Sequence, residues 1–313
     1  MRSFVLALLL ASPAVVADPW LHLPGSGPKV VLVSGDEEYR SEEALPQLAK
    51  ILNTHHGFDC TVLFAIDPKT GTIDPYALDN LPGLDKLATA DLVVLAIRMR
   101  QLKDADTKHL IDYAAAGKPL VALRTSTHPL ALKPDSEYAK YTWTSKVPGF
   151  EGGFGRKFLG ETWVAHHGQH GKEGTRGIVA AGQESNPLLR GIEPGRVFGP
   201  SDVYTARPPA DFTPVLVGQV TKTLAFESEP VAGKKNDPMQ PIAWTRGKTF
   251  VTTLGASQDL AYEGTRRLVV NGCLWAVGRE VPAKANVELV GDYKPTAFKF
   301  NGHKPGVKPG ELK

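Results

Sequence analysis

Gly117-Lys-Pro-Leu-Val-Ala-Leu-Arg-Thr-Ser126 is the segment that decides how this chain folds. Pro119 to Leu123 is a short apolar run, and it breaks abruptly into Arg124-Thr125-Ser126-Thr127-His128. Three other runs have the same shape. Lys29 to Ser34 leads into Gly35-Asp36-Glu37-Glu38-Tyr39-Arg40, Asp91 to Ile97 into Arg98-Met99-Arg100-Gln101, and Thr249 to Leu254 into Gly255-Ala256-Ser257-Gln258-Asp259. Brief runs rich in Val, Leu and Ile are the pattern of strands buried on both faces, as in parallel sheets. Ligands of open α/β sheets bind beyond the carboxyl ends of the strands. Four strands would therefore deliver carboxylates, guanidinium groups and a histidine to one crevice, a polar small-molecule site.

The elements between these runs fit the same plan. Ser41-Glu42-Glu43 reads as a helix start, with Ser as N-cap and acids in the first turn. Leu45, Leu48 and Leu52 form its apolar face, Pro46 is expected to delay its start by a turn, and Gly57 ends it. His55 and His56 would complement the helix dipole. A second strand is expected at Asp59 to Ala65, a third at Leu92 to Ile97, and a helix over Asp104 to Ala116. This alternation predicts a flavodoxin-like, doubly wound α/β domain with a mostly parallel sheet over residues 29–280. Residues 18–28 are a Pro/Gly-rich lead-in, and residues 281–313 an extended C-terminal tail lying over the surface. Periodicity fades over residues 125–175, and long loops in compact domains are usually functional. Strand-like runs return at Gly177 to Ala181, Pro214 to Gly218, Pro241 to Thr245 and Thr249 to Leu254, before a last helix over Thr265 to Val277.

Composition narrows the function classes. The chain has 313 residues, 42% hydrophobic and 22% charged, with Lys plus Arg at 36 against Asp plus Glu at 33. A net charge of +3 is too small to argue for nucleic acid or an anionic membrane. Arg2, the apolar stretch Phe4 to Leu10 and Val15-Val16-Ala17 read as a secretory signal peptide over residues 1–17, cut after Ala17. That implies a periplasmic or secreted protein with no membrane span after cleavage. Cys60 and Cys273 read as two buried thiols, and no CxxC or zinc spacing is present. Gly35-Asp36-Glu37 stands where a dinucleotide fold would carry GxGxxG, so no nucleotide cofactor is expected. A homo-oligomer is left open.

The segment around Arg124 resembles a nucleophile elbow, in which one side chain is held out at the edge of the sheet. Arginine stays protonated and cannot attack a carbonyl, so it would anchor substrate oxygens. Ser126 and His128 are too close in sequence to guarantee a relay, and Ser126 is read as a substrate-binding residue. Asp36, Glu37 and Glu38 follow the first strand, where one of them could act as general base, with Glu37 as the catalytic candidate and Asp36 as a ligand-binding group. Arg98 is the better site candidate of the Arg98/Arg100 pair, and Asp259 could bind hydroxyls or cap the final helix. His166-His167-Gly-Gln-His170 offers proton shuttles, with His166 and His167 as catalytic candidates. Gly168 and Gly171 speak against the helix that would put His166 and His170 on one face, so no metal site is expected.

Together these segments resemble the ThuA-like, or trehalose-utilisation, family of the class I glutamine amidotransferase-like superfamily. The resemblance is carried by Lys29-Val-Val-Leu-Val-Ser-Gly, Asp91-Leu-Val-Val-Leu-Ala and Leu120-Val-Ala-Leu-Arg-Thr-Ser. Phe158-Leu-Gly-Glu-Thr-Trp-Val-Ala-His-His-Gly and Thr265-Arg-Arg-Leu-Val-Val-Asn-Gly-Cys-Leu-Trp-Ala complete it, spanning about residues 28–280. Family members often carry His where this chain has Arg124. The resemblance implies a flavodoxin-like core without a catalytic cysteine, and a small-molecule carbohydrate as partner. It points to an exported enzyme acting on a carbohydrate or keto sugar, of isomerase or hydrolase type. A non-catalytic sugar-binding protein on the same scaffold is the alternative.

Overall fold

The computed structural model describes residues 18–313. The expected signal peptide, residues 1–17, lies outside the described residues. A ten-stranded sheet runs through the molecule. Its strands in chain order are β1 (Trp20–Leu23), β2 (Lys29–Gly35), β3 (Asp59–Phe64), β4 (Leu92–Ile97) and β5 (Leu120–Leu123). They continue as β6 (Gly174–Val179), β7 (Phe198–Gly199), β8 (Thr213–Thr221), β9 (Gln240–Arg246) and β10 (Thr249–Thr252). The helices are α1 (Ser41–His56), α2 (Asp104–Ala115) and α3 (Glu263–Ala276).

The strands lie in the order β1-β3-β2-β4-β5-β10-β9-β8-β6-β7. From β3 to β10 the neighbours are parallel, and among themselves these five strands have the flavodoxin-type order. The expectation of a mostly parallel sheet is corrected beyond that block. Every pairing from β10 to β7 is antiparallel, as is β1 with β3, so antiparallel pairings outnumber parallel ones five to four. The physical reason is visible at Gly247-Lys248. Only these two residues join β9 to β10, and Gly247 takes a positive φ of 56°. A two-residue link can close a hairpin, whereas a parallel crossover needs about a dozen residues or more. The lead-in also contributes an edge strand, β1, that the Pro/Gly-rich composition concealed.

The parallel strands bury both faces, as their unbroken apolar runs require. In β2, Val30 and Leu32 point into the core beneath α1 and α3, and Val31 and Val33 into the opposite core, which contains Leu110 and Ile111 of α2. Gly272 lets α3 approach β10 closely, since a Cβ there would come within 2.3 Å of the Phe250 ring. Cys60 and Cys273 are buried free thiols.

α1 begins at Ser41 despite Pro46, which sits inside the helix, so the expected delay of its start is corrected. Arg40, in left-handed conformation (φ 62°), makes the turn, and Gly57 closes the helix at φ 71°. His55 and His56 donate from Nε2 to the tail rather than only facing the helix end, to the Glu288 carbonyl at 3.0 Å and the Asn286 carbonyl at 2.8 Å. The tail is strapped down along its length. It runs past the carboxyl ends of the parallel strands, where Lys299 N–H donates to the Glu38 carbonyl at 3.0 Å.

Candidate functional site

The loop after β2 is organised by Asp36, which is 2% exposed. Its Oδ1 accepts from Glu38 N–H (2.8 Å) and Tyr39 N–H (2.9 Å), and its Oδ2 accepts from the Thr125 hydroxyl. Burial raises the Asp36 carboxyl above its ordinary range, with the Thr125 hydrogen bond opposing. Asp36 thus shapes the loop and sends Glu37 and Glu38 in two directions. Glu37 is clamped between Arg98 and Arg100, the latter at 2.5 Å. Burial raises the Glu37 carboxyl and the Arg100 charge opposes it. Arg100 is itself fully buried and donates to the Arg98 carbonyl and the Pro75 carbonyl, each at 2.7 Å. Glu37 is therefore an internal ion-pair partner, with no free carboxylate to serve as a base. Glu38 Oε1 instead reaches His170 Nε2 at 3.2 Å.

Arg124 occupies the turn after β5 with φ 45°. Its side chain, however, is 1% exposed and its bonds are internal. Nη1 donates to the Asp202 carbonyl (2.6 Å) and the Thr253 carbonyl (2.9 Å), and Nη2 to Asp202 Oδ1 (2.8 Å) and the Tyr39 hydroxyl (3.1 Å). The guanidinium carbon lies 3.8 Å from the Tyr204 ring centroid and 4.5 Å from that of Tyr39. The expected substrate-anchoring role of Arg124 is corrected: the guanidinium is committed to Asp202. Ser126 is corrected likewise. It is fully buried, and its hydroxyl accepts from Ile97 N–H at 3.3 Å, tying the turn to β4.

Asp202 is where the chemistry converges. It is fully buried, with Oδ2 at 2.7 Å from His166 Nδ1 and Oδ1 at 3.3 Å from His170 Nδ1. Burial pushes its carboxyl up, but Arg124 and the two histidines outweigh that and hold it well below the usual range. His170 is bonded by Asp202 on one nitrogen and Glu38 on the other, and these hydrogen bonds raise it to about 9. The His166 and His170 rings lie 4.8 Å apart, centroid to centroid. His128 lies behind them, 2% exposed and held neutral by burial and by the Arg98 and Arg124 charges.

Half-buried Trp143 and Trp163 pack edge-on to each other, 6.1 Å apart, and Trp163 packs edge-on to His166 at 5.8 Å. On the other side the tail supplies Phe298, whose ring centroid is 5.4 Å from His170 and 5.1 Å from Tyr39. Arg98 lies 5.2 Å from the ring of Phe300, which is 48% exposed. Three non-glycine residues adopt left-handed backbone around this crevice: Arg40, Met99 and Arg124. Strained backbone of this kind is retained where surrounding structure over-determines it, and it concentrates at functional sites.

Asp36, Arg98, Arg124 and Asp259 follow β2, β4, β5 and β10, neighbours within the parallel block. Asp259 is fully buried and accepts from the Ser201 hydroxyl (2.7 Å), Gly255 N–H (2.9 Å) and Ala256 N–H (3.0 Å), so it orders loops instead of facing a ligand. His167 points away from the cluster and meets the Lys235 carbonyl at 2.8 Å, so its catalytic assignment is corrected; extended backbone sends successive side chains to opposite sides. Sequence reasoning missed Asp202, Tyr39 and the tail, and favoured Glu37 over Glu38. Asp202 follows the two-residue strand β7 and has no periodic run to announce it.

The sequence matches no known protein-family description, and no curated relative matches it. Among solved structures, it superposes on a protein described as ThuA-like from Parabacteroides merdae ATCC 43184, with a TM-score of 0.52 at 13% identity. The match covers 88% of this chain and 97% of that one. The fold is ThuA-like. The mmIFT52 N-terminal domain aligns with a TM-score of 0.44 at 12% identity, over 81% of this chain and 99% of that one. Among the described residues of this ThuA-like fold, no helix is long and apolar enough to cross a membrane.

Proposed function

We propose that this chain is an exported member of the ThuA-like family that acts on a carbohydrate or oxidised sugar in the crevice around Asp202. The observation that carries the reading is one buried carboxylate holding two partly exposed histidines beside Trp143 and Trp163. Fixed imidazoles supply proton transfer to hydroxyl or carbonyl oxygens near neutral pH. Aromatic faces suit the C–H faces of a sugar ring, and Glu38 adds a carboxylate beside His170. The elbow position holds Arg124, so acyl-enzyme chemistry through a cysteine or serine is excluded there. The reaction is then of proton-transfer type, an isomerisation or hydrolysis of a keto sugar.

The test is a panel of mono- and disaccharides and their keto forms, read by thermal stabilisation and by chromatography of products. A true ligand must raise the melting temperature of the native state. His166→Ala should abolish turnover without lowering the melting temperature by more than a few degrees, and Trp163→Ala should weaken binding. Stabilisation without turnover would favour the non-catalytic sugar-binding reading. A panel with no stabilising sugar would refute a carbohydrate site.

A further inference from the structure

We infer that His166, His170 and Asp202 form a binding site for one divalent transition-metal ion. This rests on the reading of the same crevice as the functional site and adds the group that completes it. Two histidines and one carboxylate are a donor set suited to zinc, iron, cobalt or manganese, with positions left open for water or substrate. One ligand atom from each of the three lies within 4.8 Å of the other two. Two ligands about 2.0–2.1 Å from one ion stand at most about 4.2 Å apart, and about 3.4 Å apart at a tetrahedral angle. Asp202 Oδ2 is 2.7 Å from His166 Nδ1, and Oδ1 is 3.3 Å from His170 Nδ1. The donors thus bracket the required spacing, and closing the widest gap takes a shift of about half an ångström.

The surroundings match what such a site needs. Metal-bound histidines usually donate their second ring nitrogen to a carboxylate, which fixes the ring and its tautomer. Glu38 Oε1 sits 3.2 Å from His170 Nε2, on the side away from Asp202 Oδ1. Arg124 grips Asp202 through Oδ1 and the main-chain carbonyl, orienting the carboxylate while leaving Oδ2 to His166. Its charge opposes a cation. Asp202 and Glu38 oppose Arg124, and the nearby Arg98 is neutralised by Glu37. An ion there would supply a Lewis acid for a sugar carbonyl or an activated water.

The experiment uses purified, chelator-treated protein titrated with Zn2+ and Co2+ in the absence of any sugar, by calorimetry and by visible absorption of the cobalt form. One ion per chain is expected, with cobalt bands indicating nitrogen and oxygen ligands. His166→Ala and His170→Ala should each weaken binding at least tenfold. Glu38→Gln, which keeps the shape but not the charge, should weaken it about tenfold to a hundredfold. His167→Ala, whose ring faces the Lys235 carbonyl, should bind as the parent does. Melting curves without metal check that each variant is folded. Absence of stoichiometric binding, or binding unchanged in folded His166→Ala and His170→Ala, would overturn the site. Because no sugar is present, that outcome is independent of whether the carbohydrate panel succeeds.

Discussion

Arg124→Ala tests whether the arginine at the elbow holds the site together or holds substrate. The substitution removes four hydrogen bonds and leaves Asp202, 0% exposed, without its closest cation. Removing one member of a buried ion pair typically costs about 3–5 kcal/mol. His166 and His170 still contact the carboxylate, which favours the lower half of that range. A protein of about 300 residues unfolds with an entropy of about 0.6 kcal/mol/K near its midpoint, so the expected fall in melting temperature is about 5–6 °C. Arg124→Lys should recover only part of the loss, because an ammonium group cannot span Asp202, Thr253 and Tyr39 in one plane. Arg124→Met combined with Asp202→Asn removes both charges and should be less destabilised than the two single changes added together, by about 1 kcal/mol or more. The assay is thermal and urea unfolding of the parent, the three Arg124 variants, Asp202→Asn and the double variant, with ligand titration of the folded fraction. A melting temperature within about 2 °C of the parent for Arg124→Ala, together with lost ligand affinity, would restore the anchor role and refute this reasoning.

Glu42 provides a pH test. Burial raises its carboxyl to about 7, Arg40 Nη2 approaches at 2.8 Å without hydrogen-bond alignment, and neither carboxylate oxygen has a hydrogen-bond partner. The unfolded chain loses this proton near pH 4.5 and the folded chain near 7, so stability falls as pH rises between them, by about 3 kcal/mol in all. Glu42→Gln should flatten that slope, and parallel stability curves for parent and variant from pH 5 to 8 would sink the assignment. Phe298→Ala should destabilise by about 1–2 kcal/mol, less than the roughly 3–5 of a fully buried Phe, because the ring packs on Tyr39 and His170 but stays partly open. Phe300→Ala should change stability by no more than about 0.5 kcal/mol while weakening sugar binding; unchanged affinity would remove the tail from the site. Protein recovered from the native host should begin at Asp18, and mass spectrometry finding residues 1–17 intact on the soluble protein would refute export.

The parallel block was legible because burial on both faces forces unbroken apolar runs, and Leu92 to Ile97 matched its strand residue for residue. The antiparallel half was legible in principle. The Arg246-Gly247-Lys248 link between two strand-like runs leaves room only for a hairpin, but reading each run separately discards that constraint. In the site, Asp36, Arg124 and Asp259 follow neighbouring strands, and each turns to a protein partner where a ligand was expected. Sequence reports where a charged residue falls along the chain, and burial decides whether its partner is substrate or protein. Asp202 satisfies Arg124 from 78 positions away, a pairing that no local pattern encodes.

The same pairing explains how a positive-φ arginine at the end of β5 can organise the crevice. Left-handed backbone at a non-glycine residue costs about 1–2 kcal/mol, and at Arg124 it is offset by four hydrogen bonds and two aromatic rings. The turn after β5 points its guanidinium inward. That guanidinium fixes a carboxylate, and the carboxylate fixes two histidines carried by the long loop between Gly160 and Gly174. The two histidines thus sit on a loop with little regular structure, braced from beneath by Arg124 through Asp202 and walled by the tail. Cutting the brace and cutting the histidines should consequently differ. Loss of Arg124 should loosen the crevice as a whole, lowering stability and site function together, whereas loss of His166 should remove function from a protein that still melts close to the parent.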